Sequence, residues 1–179
     1  MANIEVLKYE QMGPEAQEAL SGVKKKLGKI PNAYGVMAQS PATLKAYFSF
    51  RRHLSQGVLS QQEREAIALV IAQATDCLYC LASHTVIAKM QGIPETEIML
   101  LRKAKSGDPK LAALVKLAKD IYINHGHPSQ ENITAFFKAG YDQSALVEVI
   151  AQVSLNVFTG FLNKTAKIPV DYPVVQKIE

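Results

Sequence analysis

Residues 65–84 read EAIALVIAQATDCLYCLASH and contain both cysteines of the chain. Two residues separate Cys77 from Cys80, and His84 follows four positions after the second cysteine. At about 100° per residue, the three side chains fall within an arc of about 60° on one helix face. Cysteines three apart on a helix are also close enough to form a disulfide. We therefore expect one helix face to carry a dithiol or disulfide pair beside an imidazole.

The start of this cysteine helix decides which other residues can reach it. Thr75 and Asp76 are both N-cap residue types, which predicts a helix start that puts Cys77 in the first turn. The positive end of the helix would lower the pKa of a thiol there. One unbroken helix from Gln61 would instead leave Glu65 about 120° away from Cys77. A break near Thr75 is therefore needed for Glu65 to join the site.

Residues that typically start or end helices recur along the rest of the chain. Ser60 and Glu63, for example, form a capping-box sequence. No segment shows a convincing period-two strand pattern. We predict an all-α bundle of about eight helices in a single domain spanning residues 1–179. The predicted helices cover about 14–27, 41–56, 61–74, 76–91, 94–106, 109–126 and 130–139, with a long last helix from 142. Residues 29–41 are predicted as a loop or single turn, and the tail as extended.

The chain also contains a weak internal repeat. Residues 67–90 resemble residues 146–169, and the sequence IAQ occurs in both. The second copy has Asn156, Thr159 and Asn163 where the first has its two cysteines and its histidine. A duplicated helical hairpin, with the chemistry kept in one half, is the simplest interpretation. Chance similarity between two apolar helices is the alternative.

Composition restricts the function classes. The chain has 20 basic and 16 acidic residues and is 48% apolar, so the small basic surplus does not indicate nucleic-acid binding. The N-terminus lacks a signal-peptide pattern, and no uninterrupted apolar run approaches the length of a membrane span, so we expect a cytoplasmic protein. In a reducing compartment a lone CxxC is more often catalytic, redox-active or metal-binding than structural.

The spacing E-x11-C-x2-C-x3-H at Glu65, Cys77, Cys80 and His84 resembles the carboxymuconolactone decarboxylase superfamily and, within it, the AhpD-like alkylhydroperoxidases. The flanks IPNAYGVMAQSP, LSQQEREAIAL and KIPVDYP are also similar, so the resemblance covers roughly residues 27–175. It implies an all-helical subunit assembled as trimers or hexamers, with no metal or organic cofactor. It also implies reduction of a hydroperoxide substrate, with a lipoyl or thioredoxin-like protein as dithiol electron donor.

Each motif residue receives a candidate role. His84 lies one turn from Cys80 and can take its proton, which makes Cys80 the candidate for attack on the peroxide. Cys77, which we expect nearer to solvent, would resolve the sulfenic acid and meet the reductant. The helix-dipole argument alone would favour Cys77 as the attacking thiolate, so the residues leave both orders open, and the resemblance favours Cys80. Glu65 would orient His84.

Tyr79 departs from the family pattern, because AhpD proteins have a histidine next to the second cysteine. A tyrosine can donate a hydrogen bond but cannot act as a base near neutral pH, so Tyr79 is only a possible auxiliary residue. Three alternatives remain. The first is a lyase like carboxymuconolactone decarboxylase, the second is a non-enzymatic thiol–disulfide sensor, and the third is a zinc site with Cys77, Cys80 and His84 as ligands.

Overall fold

The computed structural model describes residues 2–176 and 178, which form an all-α bundle with no strand. A short 3-10 turn precedes nine α-helices in these residues. The helices are α1 (Pro14–Leu27), α2 (Asn32–Met37), α3 (Pro41–Leu54), α4 (Gln61–Ala74), α5 (Leu78–Met90), α6 (Glu95–Arg102), α7 (Pro109–Ile123), α8 (Gln130–Lys138) and α9 (Gln143–Ala166). The predicted fold class is confirmed.

Side-chain caps start most of the helices where the sequence predicted them. The Ser60 hydroxyl accepts a hydrogen bond from the Glu63 N–H, and the Glu63 carboxylate accepts one from the Ser60 N–H, completing the predicted capping box. The side chains of Ser40, Ser129 and Asp142 each accept a hydrogen bond from the backbone N–H three residues later and cap α3, α8 and α9. Local sequence therefore fixes these helix starts.

The helix ends agree less well with the sequence prediction. α3, α6 and α7 end at Leu54, Arg102 and Ile123, two to four residues before the predicted ends. The last residues of each predicted helix instead form tight turns with short-range backbone hydrogen bonds. The segment predicted as a loop or single turn contains the six-residue helix α2, which raises the number of α-helices from eight to nine.

Helix α4 forms the centre of the molecule and contacts α5, α6, α7 and α9. Its residues from Glu65 to Ala72 are all buried, because these four neighbours surround it on every side. Phe136 of α8 and Leu114 of α7 are fully buried in the same core. A second cluster, which includes Val36, both cysteines and Ile168, lies beside the α4–α5 connection. The candidate site is thus attached to the buried central helix of the fold.

The two similar stretches of sequence differ in structure. Residues 67–90 form the end of α4, a connection and α5, whereas the first 21 residues of 146–169 lie within the single helix α9. Ser154, which aligns with Thr75, bonds the Ile150 carbonyl inside α9, so the chain continues as a helix. The predicted duplication therefore does not produce a second hairpin.

Helix α9 has 24 residues, and its most apolar 18-residue window has a mean hydropathy of 1.6. By length and composition alone it could cross a membrane, a test that core helices of soluble proteins also pass. Polar residues divide the apolar sequence of α9, so no uninterrupted apolar run marks this helix although its mean hydropathy is high. In the fold, α9 contacts α3, α4, α5 and α7.

Candidate active site

The connection between α4 and α5 positions the cysteines. Thr75 ends α4, and its hydroxyl donates to the Ile71 carbonyl at 2.8 Å. Asp76 then takes a left-handed conformation with φ of 49°, which turns the chain into α5. The predicted break near Thr75 is therefore present, and it folds α5 back along α4.

The predicted cap of α5 is wrong by one or two residues. Cys77 itself is the N-cap, and its sulfur accepts a hydrogen bond from the Cys80 N–H at 3.2 Å. Thr75 and Asp76 are not available as caps, because one ends α4 and the other makes the turn. Cys77 thus lies at the positive end of the helix rather than inside its first turn.

Cys77 and Cys80 form a disulfide, with their Cα atoms 5.3 Å apart. Both are buried, with Cys77 1% exposed and Cys80 4% exposed. Cys80 lines a cavity of about 390 Å³, whereas Cys77 does not. The expectation that Cys77 is nearer to solvent is therefore wrong, because α9, α2 and the tail cover the helix end.

Glu65 and His84 meet across the α4–α5 pair. The Glu65 Oε1 lies 2.6 Å from the His84 Nδ1, and both side chains line the same cavity as Cys80. Glu65 is 7% exposed. A carboxylate on Nδ1 holds the ring with its proton on that nitrogen, which leaves Nε2 to accept or return a proton. The four motif residues thus occupy one region of the molecule, as the sequence predicted.

Sequence reasoning did not assign Asn163 to the site. Its Nδ2 donates to the Cys80 Sγ at 3.3 Å and lies 3.9 Å from the Cys77 Sγ. The side chain is 6% exposed, and its Oδ1 has no hydrogen-bond partner among the described residues. A buried amide oxygen without a partner is costly and therefore suggests a bound ligand or water. The only sequence signal was the weak repeat, in which Asn163 aligns with His84.

Tyr79 lines the cavity, but its hydroxyl is already bonded on both sides. It donates to the Asp171 Oδ1 at 2.8 Å and accepts from the Ala33 N–H at 3.1 Å. Burial, reinforced by the Asp171 carboxylate, raises the pKa of the Tyr79 phenol above its usual range. Tyr79 thus connects the start of α2 to the C-terminal tail rather than offering a free proton donor.

The extended tail forms one wall of the cavity. Tyr172 stacks edge-to-face against Tyr79, with ring centroids 5.6 Å apart, and lines the cavity. Burial raises the pKa of Tyr172 to about 12. The Asp171 carboxylate also accepts from the Lys29 ammonium at 3.1 Å, which fixes the tail against the start of α2. The described residues of the tail after Lys167 form neither a helix nor a strand.

The remaining cavity wall is a mixture of apolar, aromatic and cationic side chains. It contains Tyr34, Met37, Tyr47, Arg51, Arg64, Ile87, Gln152, Leu155, Asn156 and Thr159. These residues come from α2, α3, α4, α5 and α9, so no local motif could have grouped them. In the described part of the chain, no three His, Cys, Asp or Glu side chains are arranged to hold a metal ion.

Part of the sequence matches a known family, and several solved structures have a similar fold. Residues 41–120 match the carboxymuconolactone decarboxylase family. The fold is similar to that of an uncharacterized peroxidase-related protein from Ralstonia eutropha JMP134, whose structure is described as an alkylhydroperoxidase AhpD core. The TM-score is 0.85 and the sequence identity is 18%, over 95% of this chain and 92% of that chain. Among curated proteins, none matches significantly.

Two further solved structures have the same fold. A peroxidase-related protein from Silicibacter sp. TM1040 has a TM-score of 0.80 at 17% identity, over 94% of each chain. The debrominase Bmp8, solved with 2,3,4-tribromopyrrole, has a TM-score of 0.79 at 17% identity, over 96% of this chain and 94% of that chain. Residues 41–120 thus match the carboxymuconolactone decarboxylase family, and the described residues have an AhpD-like fold.

Proposed function

We propose that the protein is a cysteine-dependent peroxidase that reduces organic hydroperoxides, an alkyl hydroperoxide reductase activity. One observation carries this proposal: the Cys77–Cys80 disulfide presents Cys80 to a cavity that also contains the Glu65–His84 pair. A thiol that cycles through a disulfide, next to a histidine held by a carboxylate, has the parts that peroxide reduction requires.

The reaction begins with the reduced dithiol. His84 takes the proton of Cys80, and Glu65 stabilises the resulting imidazolium. The thiolate attacks the terminal oxygen of the hydroperoxide, so that an S–O bond forms and the O–O bond breaks. The alkoxide leaves with the O–O electron pair and receives the proton held by His84. The products are an alcohol and a Cys80 sulfenic acid, whose sulfur has lost two electrons.

The second half of the cycle restores the enzyme. The Cys77 thiolate attacks the sulfur of the Cys80 sulfenic acid, an S–S bond forms, and the hydroxyl leaves as water after protonation. An external dithiol then reduces this disulfide by thiol exchange, returning two electrons and two protons to the cysteines. Because the two cysteines are three positions apart, their disulfide can open and close at the start of α5 without refolding.

The surroundings support Cys80 as the attacking residue. Cys80 lines the cavity, whereas Cys77 does not, so a substrate in the cavity reaches Cys80 first. The Asn163 amide also donates to the Cys80 sulfur and would stabilise its thiolate. The N-cap position of Cys77 favours a thiolate there as well, which suits a resolving cysteine that must attack promptly.

Burial of the disulfide favours one kind of electron donor. Both cysteines are at most 4% exposed, so a donor must reach Cys80 through the cavity. A lipoyl group on a flexible arm is thin enough to enter, whereas a thioredoxin-like donor would need the cavity wall to open. We further propose that the protein acts in the cytoplasm as a homo-oligomer, a trimer or a hexamer, without nucleic-acid or membrane partners and without a metal or organic cofactor.

The test is consumption of cumene hydroperoxide and hydrogen peroxide with dithiothreitol as donor, comparing wild type with Cys80→Ser and Cys77→Ser. Turnover in wild type and its loss in both variants would support the two-cysteine cycle. A sulfenic acid trapped in Cys77→Ser would identify Cys80 as the attacking residue.

Two other results would favour the alternatives. A disulfide that forms stoichiometrically with peroxide, without turnover with any donor, would indicate a redox sensor. Lyase activity on a carboxymuconolactone that survives alanine at both cysteines would indicate a decarboxylase.

A further inference from the structure

We infer that Arg51 and Arg64 form a carboxylate-binding subsite in the cavity, and that the preferred substrate is a hydroperoxide carrying an anionic group. The inference rests on the proposed peroxidase function and specifies its substrate class. It begins from the charges of the cavity wall, which contains Arg51, Arg64, Glu65 and His84 as its charged or titratable residues other than tyrosines.

Glu65, the carboxylate of the cavity wall, already has a partner in His84. Glu65 contacts the His84 Nδ1 at 2.6 Å and acts on Arg51 only from beyond ion-pair distance, so the two arginines outnumber the one carboxylate of the cavity wall. Within the described chain, neither Arg51 nor Arg64 forms an ion pair with an Asp or Glu side chain. A cavity whose guanidinium groups outnumber its carboxylate favours an anion over a neutral ligand.

Arg51 is positioned by the hydroxyl of Tyr34. Its Nη1 donates to the Tyr34 hydroxyl at 3.0 Å, and the Tyr34 ring lies 5.1 Å from Phe48 and 6.1 Å from Tyr47. Tyr47 and Phe48 also contact each other edge-to-face, at 5.5 Å. This support orients the guanidinium while leaving most of its five N–H donors free. A carboxylate therefore meets a cation that is already positioned.

Arg64 is positioned by the backbone. Its Nη1 donates to the Leu59 carbonyl at the start of α4, and its side chain is half-buried. Arg64 precedes Glu65 directly, so the guanidinium lies on the same helix as the acid that orients His84. An anion held by Arg51 or Arg64 would therefore be in the same cavity as the reacting sulfur.

The volume of the cavity and the side chains that line it restrict what the rest of the ligand can be. A cavity of about 390 Å³ is within the usual range for a small-molecule site. Tyr34, Tyr47, Met37 and Leu155 supply apolar wall for a compact organic group. Guanidinium groups bind carboxylates through two parallel hydrogen bonds, which lysine cannot reproduce. A compact, carboxylate-bearing aryl or alkyl hydroperoxide fits these features.

The test compares two substrates that differ in one group, cumene hydroperoxide and its 4-carboxylate. We expect wild type to show a kcat/KM about ten- to a hundredfold higher for the carboxylate, the effect of one or two charged hydrogen bonds. Arg51→Met and Arg64→Met should each reduce the ratio of kcat/KM for the carboxylate to kcat/KM for the neutral substrate. Arg51→Lys should keep part of this preference. Arg52→Met is the matched control, because Arg52 does not line the cavity.

Binding of the unreactive 4-isopropylbenzoate, measured by calorimetry, tests the subsite without turnover. Tighter binding to wild type and Arg52→Met than to Arg51→Met supports the subsite even if no hydroperoxide is consumed, in which case only the peroxidase proposal fails. Equal binding to all three, together with equal kcat/KM for both substrates, overturns the subsite alone. If Arg51→Met slows both substrates equally, or changes the oligomeric mass, the arginine acts on the thiolate or at an interface and the proposal is wrong.

Discussion

The Cys80 sulfur lies between two groups that come from different parts of the chain. Asn163 of α9 donates to it, and the Glu65–His84 pair lines the cavity beside it. The first can stabilise a thiolate, and the second can accept and return a proton. These two roles can be separated by substitution.

Glu65→Gln should lower kcat/KM for cumene hydroperoxide about 100-fold, because an amide cannot stabilise the His84 imidazolium. The assay is steady-state peroxide consumption. Glu63→Gln is the matched control on α4. Its carboxylate accepts from the Tyr141 hydroxyl at 2.7 Å outside the cavity, so its loss should lower stability and leave turnover unchanged. Equal turnover by wild type and Glu65→Gln would remove Glu65 from the site.

Asn163→Ala should raise the pKa of the Cys80 thiol and slow its reaction with peroxide about tenfold, because the thiolate loses a donor. Asn163→Asp should slow it further, since a carboxylate beside the sulfur repels a thiolate. The pH dependence of alkylation by iodoacetamide, with Cys77 replaced by serine, measures the thiol pKa. An unchanged pH profile in both variants would contradict this role for Asn163.

At the scale of elements, one side chain bridges each of two junctions. Asp120 near the end of α7 accepts hydrogen bonds from the Ser129 N–H and hydroxyl and from the Asn132 amide at the start of α8. Tyr79 of α5 connects α2 to the tail through Ala33 and Asp171. Asn32 and Lys29 also bond the tail at the start of α2.

Asp120→Asn should lower the unfolding free energy by about 1 kcal/mol at pH 7. The hydrogen bond from Asn132, and those from Ser129 and Asn124, hold the pKa of Asp120 below its usual value. A lowered folded-state pKa stabilises the fold above the unfolded pKa of about 3.9 and loses that effect as pH falls through the lower value.

Thermal unfolding of wild type and Asp120→Asn across pH 7 to 2 checks this, and the difference in Tm should shrink at the acid end. Asp108→Asn is the control, because either residue caps α7 well and the Tm should change little. A difference that persists at pH 2 would show that the charge of Asp120 is not responsible.

Tyr79→Phe should cost roughly 1–3 kcal/mol of unfolding free energy, because the Ala33 N–H and one Asp171 oxygen lose a partner. Amide exchange in the tail should become faster, while peroxide turnover should stay within about threefold of wild type. Tyr122→Phe, which removes a hydroxyl without a hydrogen bond to the described residues, is the control. A loss of turnover greater than a hundredfold would instead make Tyr79 a catalytic residue.

At the scale of the whole molecule, large apolar side chains remain exposed on the outer face of α9. Val147 is 66% exposed and Phe161 is 56% exposed. Exposed apolar side chains along one helix are common at subunit interfaces. They support the proposed homo-oligomer, which stays a prediction.

Phe161→Asp should shift the protein toward smaller species, because a carboxylate would be buried without a partner in an interface. Light scattering coupled to size exclusion would measure the mass. Thr134→Asp, on an exposed position of α8, is the control and should leave the mass unchanged. A monomeric wild type, or no change in Phe161→Asp, would contradict an interface on this face.

The sequence by itself determined the local features of the protein. Capping residues such as Ser60 and Asp142 fixed helix starts, and the spacing of Glu65, Cys77, Cys80 and His84 grouped four candidate site residues. These predictions succeed because helix caps and helix faces depend on residues within a turn or two of each other. The break at Thr75 was predictable for the same reason.

Only the tertiary structure decided which distant residues complete the site and how each cysteine is exposed. Asn163, Arg51 and Tyr172 reach the cavity from three separate elements, and packing of α9, α2 and the tail buries Cys77. Such contacts depend on how helices pack across the core, which local spacing does not encode. The chain thus carries its chemistry in one short stretch, while the surroundings that tune that chemistry come from the fold.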